Sequence, residues 1–298
     1  MDKIEHWKNF SLGTELEISG NFIYNGLKII NTIENFHYPE QVFEFFYNIS
    51  VGIERLEKIA IILIEHNEIV NLKVFDKSLK NHKHQELLKR ITKKHPFNFG
   101  KIHSKFIQIL SVFYSDYRYD RYMLNDKLSY SKEKTTLIEF IKSGLNIEIK
   151  DNFPFEISKN TRQIKFFLSK IIGKITSELY GKITSEARDL NIYTYELRKN
   201  SKAYNVFLQQ DYVFEYEEIL KKEFIIKLIN NSNSNFVKFI KKISPLNFDV
   251  QDENDIIKCL LNNYKLCEYF DELDELYDNI ENKKERFECL EILGMNGI

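Results

Sequence analysis

FEFFYNISVGIERLEKIAIILIEH, residues 43–66, is the most informative stretch of this chain. Its apolar side chains recur at the spacing of one helical face: Phe46, Ile49, Ile53, Leu56, Ile59, Ala60 and Leu63. Gly52 stands out because Gly in a helix interior costs about 1 kcal/mol relative to Ala. A Gly at this position indicates that a neighbouring helix approaches closely. We therefore interpret the stretch as the central helix of a helical bundle.

The composition also favours helices. The chain has 298 residues but only 10 Gly and 4 Pro, which supply too few turns for an all-β protein. Besides the central helix, helical spacing predicts helices at residues 2–34, 78–93, 101–116, 134–143, 157–190, 211–228, 236–243 and 253–290. Gly144 is predicted to end the helix at 134–143. The only strands expected are those of a small hairpin within 193–204.

The polar segment 146–154 separates the predicted helices into two groups. We predict an all-α protein, in which an antiparallel helical bundle over residues 1–150 is followed by a second helical domain over 151–298. The N-terminal residues 1–8 are polar and do not resemble a signal peptide. No stretch reaches the roughly 18 apolar residues of a membrane span.

Three cysteines, Cys259, Cys267 and Cys289, lack the spacing of a metal site and fit the reduced thiols of a cytoplasmic protein. The chain contains no P-loop, no GxGxxG, no GxSxG and no CxxC motif. These absences argue against a nucleotide-driven motor, a dinucleotide enzyme and a serine hydrolase of the common type. We therefore predict a cytoplasmic protein without a membrane span, a metal or another cofactor.

Charge is unevenly distributed along the chain. Residues 51–250 carry 35 Lys and Arg against 24 Asp and Glu, although the net charge of the whole chain is −1. A basic middle suits a polyanionic partner such as RNA. The alternative is that these charges are ordinary solvated faces of helices.

The segment Arg90-Ile-Thr-Lys-Lys-His95 contains the residue types of an acid/base centre for phosphate chemistry. An imidazole such as that of His95 can exchange protons near neutral pH. The guanidinium of Arg90 can bind phosphate oxygens through two nitrogens, and Lys93 and Lys94 add positive charge. The alternative is that these cations complement the dipole at the end of a helix.

Residues 114–122, YSDYRYDRY, alternate tyrosine with charged side chains. Tyr and Arg in alternation can stack on bases and bind phosphate, so Arg118, Tyr119 and Arg121 are candidate nucleic-acid contacts. The alternative is an amphipathic helix end, in which the arginines pair with Asp116 or Asp120.

Other polar residues receive a structural interpretation. His82 and His84 are interpreted as polar residues at the start of a helix. Glu54 is expected to pair with Lys58 one turn later, and also with the adjacent Arg55.

Three short segments resemble motifs of the HEPN superfamily, the all-helical domains of prokaryotic toxins and defence ribonucleases. Ser50-Val-Gly-Ile-Glu-Arg-Leu-Glu-Lys58 resembles the family's Ala-x-Glu-Lys-x-Leu-Lys pattern, and His82-Lys-His84 resembles its His-Asp-Leu segment. Arg118-Tyr119-Asp120 resembles the Arg-Tyr-Pro-Asp end of a later helix. Active members share an Arg-x4-6-His motif; here Arg90 and His95 have that spacing, but earlier in the chain than the family places it.

The resemblance implies a metal-independent endoribonuclease or RNA-binding effector of a toxin–antitoxin or phage-defence (abortive infection) system. It further implies a homodimer, because active sites of the family are shared between two chains, and an antitoxin or other defence protein as a partner. The alternative is a non-catalytic helical interaction or scaffold protein.

Overall fold

The computed structural model describes residues 7–65, 71–120, 132–152, 155–192, 197, 205–209, 214–230, 235–246, 256–257, 260–261 and 275–291. The chain forms two compact units, Met1–Tyr212 and Val213–Ile298. The sequence placed this division at residue 150. The N-terminal unit extends further because the long helix after the polar segment 146–154 packs on the central helix.

The described residues are mostly helical, as predicted. In the N-terminal unit the helices are α1 (Leu12–Thr32), α2 (Pro39–Ile64), α3 (Leu72–Ser78), α4 (His84–Thr92), α5 (Lys101–Val112), α6 (Lys132–Leu145) and α7 (Arg162–Asp189). Turns of π-helix cover Trp7–Ser11, Phe113–Tyr117 and Asn205–Gln209, and a one-turn helix, Arg118–Asp120, follows the second of these. The second unit contains α8 (Phe214–Asn230), α9 (Asn235–Ile240) and α10 (Lys283–Glu291).

Helix α2 is the centre of the N-terminal unit, as the sequence predicted. It begins at Pro39, whose fixed φ suits the first helical turn. Its apolar face is buried: Phe45, Phe46, Ile49, Ile53, Leu56 and Ala60 have no exposed surface. Helices α1, α4, α6 and α7 pack against it.

Two glycines allow α1 and α2 to cross at close range. A Cβ on Gly52 would lie 2.5 Å from Cδ1 of Ile23 and 3.2 Å from its backbone nitrogen. A Cβ on Gly26 would lie 2.6 Å from Cδ1 of Ile49. At the same crossing, the hydroxyl of Ser19 donates to the carbonyl of Gly52 at 2.7 Å. The close approach predicted at Gly52 is confirmed.

The end of α1 is closed by a residue far along the chain. Asn160 is buried, and its Nδ2 donates to the carbonyl oxygens of Ile30 at 2.6 Å and Ile33 at 3.1 Å. Its backbone N–H donates to the carbonyl of Glu34 at 2.6 Å. These bonds satisfy carbonyls that a helix end leaves without a helical partner.

Two local predictions were wrong. Helix α6 continues through Gly144, where a Cβ would lie 2.3 Å from Cζ of Phe167, and Asn146 with φ 53° follows its end. Gly144 therefore serves close packing, while Asn146 adopts the left-handed conformation that Asn tolerates. The described hairpin pairs β1 (Asp151–Asn152) with β2 (Glu156–Ile157) in antiparallel fashion; β1 lies in the predicted polar segment 146–154, and β2 follows that segment, where the helix predicted at 157–190 was to begin. Strands of two residues are too short to show alternation. Most of the hairpin predicted within 193–204 lies outside the described residues.

None of the helices in the described ranges combines the length and the apolar character needed to cross a membrane.

Candidate functional site

Arg90 lies in the last turn of α4 and is held by the carboxylate of Glu65, the residue that follows α2. Its Nε and Nη2 donate to the two carboxylate oxygens of Glu65 at 2.9 and 2.6 Å. Its Nη1 donates to the hydroxyl of Ser78 at 3.2 Å, and its guanidinium lies 5.8 Å from the centre of the Phe75 ring. The predicted catalytic arginine is therefore engaged by protein groups on several sides.

His95 and Lys94 bind a different carboxylate, that of Glu186 on α7. Nε2 of His95 lies 2.5 Å from Oε1 of Glu186, and Nζ of Lys94 lies 2.9 Å from Oε2. Lys93 is exposed at the end of α4. An open, polar pocket beside His95 is also lined by Ser177, Glu178, Gly181, Lys182 and Ser185. Arg90 and His95 thus bind separate carboxylates and do not share a cluster of partners.

Arg118 belongs to a third group of residues, at the end of the π-helical turn. Its guanidinium lies 4.1 Å from the centre of the Tyr114 ring and 4.6 Å from that of Tyr119. Nη2 of Arg118 donates to the hydroxyl of Tyr119 at 2.6 Å. Asp120 pairs with Lys132 instead. Arg121, the remaining predicted contact, lies outside the described residues.

The ring of Tyr114 connects Arg118 to a histidine and a carboxylate. The ring of His82 lies 5.3 Å from that of Tyr114. Nδ1 of His82 lies 3.1 Å from both carboxylate oxygens of Glu54 on α2. Lys58 donates to the same carboxylate at 2.5 Å. These five residues, Glu54, Lys58, His82, Tyr114 and Arg118, are called the His82 cluster below.

The His82 cluster combines an accessible imidazole with a nearly buried carboxylate. The side chain of His82 is 51% exposed, whereas that of Glu54 is 9% exposed. Because Nδ1 faces the carboxylate, it is the nitrogen that carries the proton in the neutral ring, and Nε2 is left as the acceptor. Burial and the nearby carboxylate of Glu54 raise the pKa of Tyr114, so its hydroxyl stays protonated.

A second, fully buried imidazole–carboxylate pair lies beside the cluster. His84, the first residue of α4, places Nδ1 2.9 Å from Oε2 of Glu57, and neither side chain has exposed surface. Burial raises the pKa of Glu57. Burial opposes the charged form of His84, but the carboxylates of Glu57 and Glu54 outweigh it and raise the pKa of His84.

Sequence reasoning missed the role of this histidine segment. The predicted pairing of Glu54 with Lys58 is confirmed, but Arg55 pairs with Glu15 on α1 and not with Glu54. Adjacent residues on a helix point in different directions, which explains the difference. The available signal was Glu57, a charged residue at an apolar-face position of α2, with two histidines two residues apart further along the chain.

Among the described residues, no group of three or more His, Cys, Asp and Glu side chains is arranged to hold a metal ion. No family model, no curated protein and no solved structure matched the chain. Function is therefore inferred from the geometry of the site.

Proposed function

We propose that this protein is an endoribonuclease that cleaves RNA without a metal ion, with His82 as its acid/base and Arg118 as its phosphate-binding group. The observation that carries the proposal is that an exposed imidazole and a guanidinium contact the same tyrosine ring. All three segments that resemble HEPN motifs contribute to this arrangement, through Glu54 and Lys58, through His82, and through Arg118.

The proposed reaction is the attack of an RNA 2′-hydroxyl on the adjacent phosphorus. Nε2 of His82 takes the 2′ proton as the bond from the 2′ oxygen to phosphorus forms. The bond from phosphorus to the 5′ oxygen breaks, and that oxygen takes a proton from water; the hydroxide formed takes the proton from Nε2 of His82, which restores the neutral imidazole. The products are a 2′,3′-cyclic phosphate and a 5′-hydroxyl. Glu54 orients the imidazole, while Arg118 and Lys58 stabilise the negative charge that develops on the phosphate.

Tyr119 supports RNA as the substrate. Tyr119 is 54% exposed, and its ring stacks on Arg118, so the stack of Tyr114, Arg118 and Tyr119 can be extended by a base. Aromatic stacking favours unpaired bases, because the faces of paired bases are covered by their neighbours. Single-stranded RNA is accordingly the proposed substrate.

The biological setting is proposed from the resemblance alone. It is a toxin–antitoxin or phage-defence system, in which a HEPN-like bundle forms a homodimer and binds an antitoxin or another defence protein. A stable dimer would need to bury roughly 1,000 Å² or more, and sedimentation of the full chain at micromolar concentration would detect it.

A second candidate function is that of a non-catalytic interaction protein. It is favoured by α8, which exposes the large apolar side chains Ile219, Leu220, Phe224, Ile226, Leu228 and Ile229. Apolar patches of this kind are typical of surfaces that bind other proteins.

The test compares wild type, His82→Ala and Arg118→Ala on end-labelled single-stranded RNA in EDTA. We expect His82→Ala to lower the cleavage rate by about 10²-fold or more, with cyclic phosphate ends on the wild-type products. His103→Ala is the matched control, because this histidine lies on α5 outside the His82 cluster. Arg118→Ala should also slow cleavage.

His95→Ala distinguishes the two histidine sites. If His95→Ala abolishes cleavage and His82→Ala leaves it unchanged, the reaction takes place beside Glu186 and the proposed centre is refuted. If the wild-type protein cleaves RNA neither in the purified assay nor in cells whose growth it inhibits, the interaction protein becomes the favoured function.

A further inference from the structure

His82 and His84 contact α2 through two parallel pairs. Both use Nδ1: His82 toward Glu54 at 3.1 Å, and His84 toward Glu57 at 2.9 Å. Glu54 and Glu57 lie one turn apart on α2. Lys83, between the histidines, has an extended backbone, and its side chain is 61% exposed. Residues 82–84 are thus attached to α2 on one side, with Lys83 directed toward solvent.

The buried pair is not explained by stability. Replacing a buried ion pair with apolar groups of similar volume is often neutral or stabilising. Moreover, within the described residues, Oε1 of Glu57 and Nε2 of His84 are buried without a hydrogen-bond partner. An incompletely satisfied buried polar pair of this kind calls for an explanation.

We propose that Glu57 and His84 are positioning residues, whose buried contact fixes residues 82–84 against α2 so that Nδ1 of His82 meets Glu54. The catalytic consequence rests on the proposed function, whereas the positioning of the imidazole can be measured without any cleavage.

The contacts around the start of α4 support this role of the buried pair. Helix α4 begins without a side-chain cap at Lys83; the N–H of Lys83 donates to Oδ1 of Asn81 at 2.9 Å, but this bond lies within the segment and does not join it to α2. The backbone N–H of Gln85 reaches the hydroxyl of Ser111 only at 3.4 Å. By contrast, His84 is fully enclosed and its contact with Glu57 is short. A shift of about 1 Å in a catalytic group can lower activity by about 10²-fold, so the anchoring of the segment has a direct chemical consequence.

The test uses the full chain with ¹⁵N-labelled histidine side chains. Long-range ¹H–¹⁵N spectra, recorded where the imidazole is neutral, show which ring nitrogen carries the proton. The His82 signals are identified by their loss in His82→Gln. In wild type we expect a single form protonated at Nδ1. In the double variant Glu57→Met/His84→Leu we expect His82 to show the mixed forms of an unrestrained imidazole.

Two further variants separate positioning from a general disturbance. Glu57→Gln keeps an oxygen that accepts from Nδ1 of His84, so the Nδ1 form of His82 should be retained. Lys83→Gln is the control within the same segment and should also leave His82 unchanged. In cleavage assays, the double variant should lower kcat by about 10- to 10²-fold and leave KM unaltered.

Several outcomes would overturn the inference. One is a folded double variant in which His82 keeps a single form protonated at Nδ1. Another is the appearance of the same mixed forms of His82 in Lys83→Gln. If the double variant does not fold, the wild-type spectrum still tests the inference, because a mixture of protonation forms at His82 would contradict a fixed position of its ring. Absence of RNA cleavage by wild type would refute the proposed function but would not affect the spectroscopic result.

Discussion

Arg90 binds Glu65 through a fork, in which Nε and Nη2 each face one carboxylate oxygen. The contact joins α4 to the end of α2. It gives Arg90 a structural role at the end of α4, but through the carboxylate of Glu65 and not only through the helix dipole that the sequence suggested as the alternative.

We expect Arg90→Lys to lower stability and to leave RNA cleavage unchanged. An ammonium group cannot reproduce the two parallel bonds of the fork, and hydrogen bonds to charged groups are worth about 1.5–3 kcal/mol each. A loss of about 1 kcal/mol in the free energy of unfolding is expected, since the pair is partly exposed. Urea unfolding monitored by circular dichroism measures it. A large loss of cleavage in a folded Arg90→Lys protein would show that Arg90 belongs to the catalytic site after all.

Gly52→Ala should destabilise the protein, whereas Gly181→Ala should not. A methyl group at Gly52 meets the side chain and backbone of Ile23, but at Gly181 nothing lies within 4 Å. Both glycines lie inside helices, where Ala is favoured by about 1 kcal/mol. Gly181→Ala should therefore raise the midpoint of thermal unfolding and Gly52→Ala should lower it. Equal shifts in both variants would show that α1 and α2 can separate at no cost.

The Glu57–His84 pair should make stability depend on pH. Folding raises the pKa of Glu57 above the ordinary value of 4.5 and that of His84 above 6.5. The folded chain therefore binds more protons than the unfolded chain. The stability that this difference in proton binding adds is fully present below pH 4.5 and is lost as pH rises through the raised pKa values of the two groups.

The free energy of unfolding of wild type and of Glu57→Met/His84→Leu should be measured by urea unfolding at several pH values. We expect wild type to lose stability relative to the double variant as pH rises. A difference that does not change with pH, or that grows in the opposite direction, would contradict the predicted shifts.

Tyr119→Ala should weaken binding of single-stranded RNA, because base stacking on an aromatic ring contributes about 1–3 kcal/mol. A loss of that free energy corresponds to a rise in Kd of about 5- to 150-fold. Tyr119→Phe, which keeps the ring and loses only the hydroxyl that binds Arg118, should retain most of the affinity. Fluorescence anisotropy with labelled RNA tests both variants, and equal affinities of wild type and Tyr119→Ala would exclude the stack as a base platform.

Sequence periodicity was sufficient to predict α2 and its packing, because an unbroken apolar face and Gly52 specify a helix that another helix crosses closely. It was not sufficient for the His82 cluster. The members of that cluster come from α2, from the segment before α4, from the π-helical turn at Phe113–Tyr117 and from the one-turn helix that follows it. Periodicity describes which face of one helix is buried, but not which loop residue meets a carboxylate on another helix. The ion pairs of Arg90 and His95 were missed for the same reason.

The bonds from Asn160 to Ile30 and Ile33 impose an order on folding during synthesis. At about 5–20 residues per second, the ribosome needs several seconds to tens of seconds to add the residues between them. Throughout that interval the surface of α2 that α7 covers is open to other chains. A product ending near residue 150 would keep that surface exposed permanently, so nascent or truncated chains are the species in which we expect aggregation or chaperone binding.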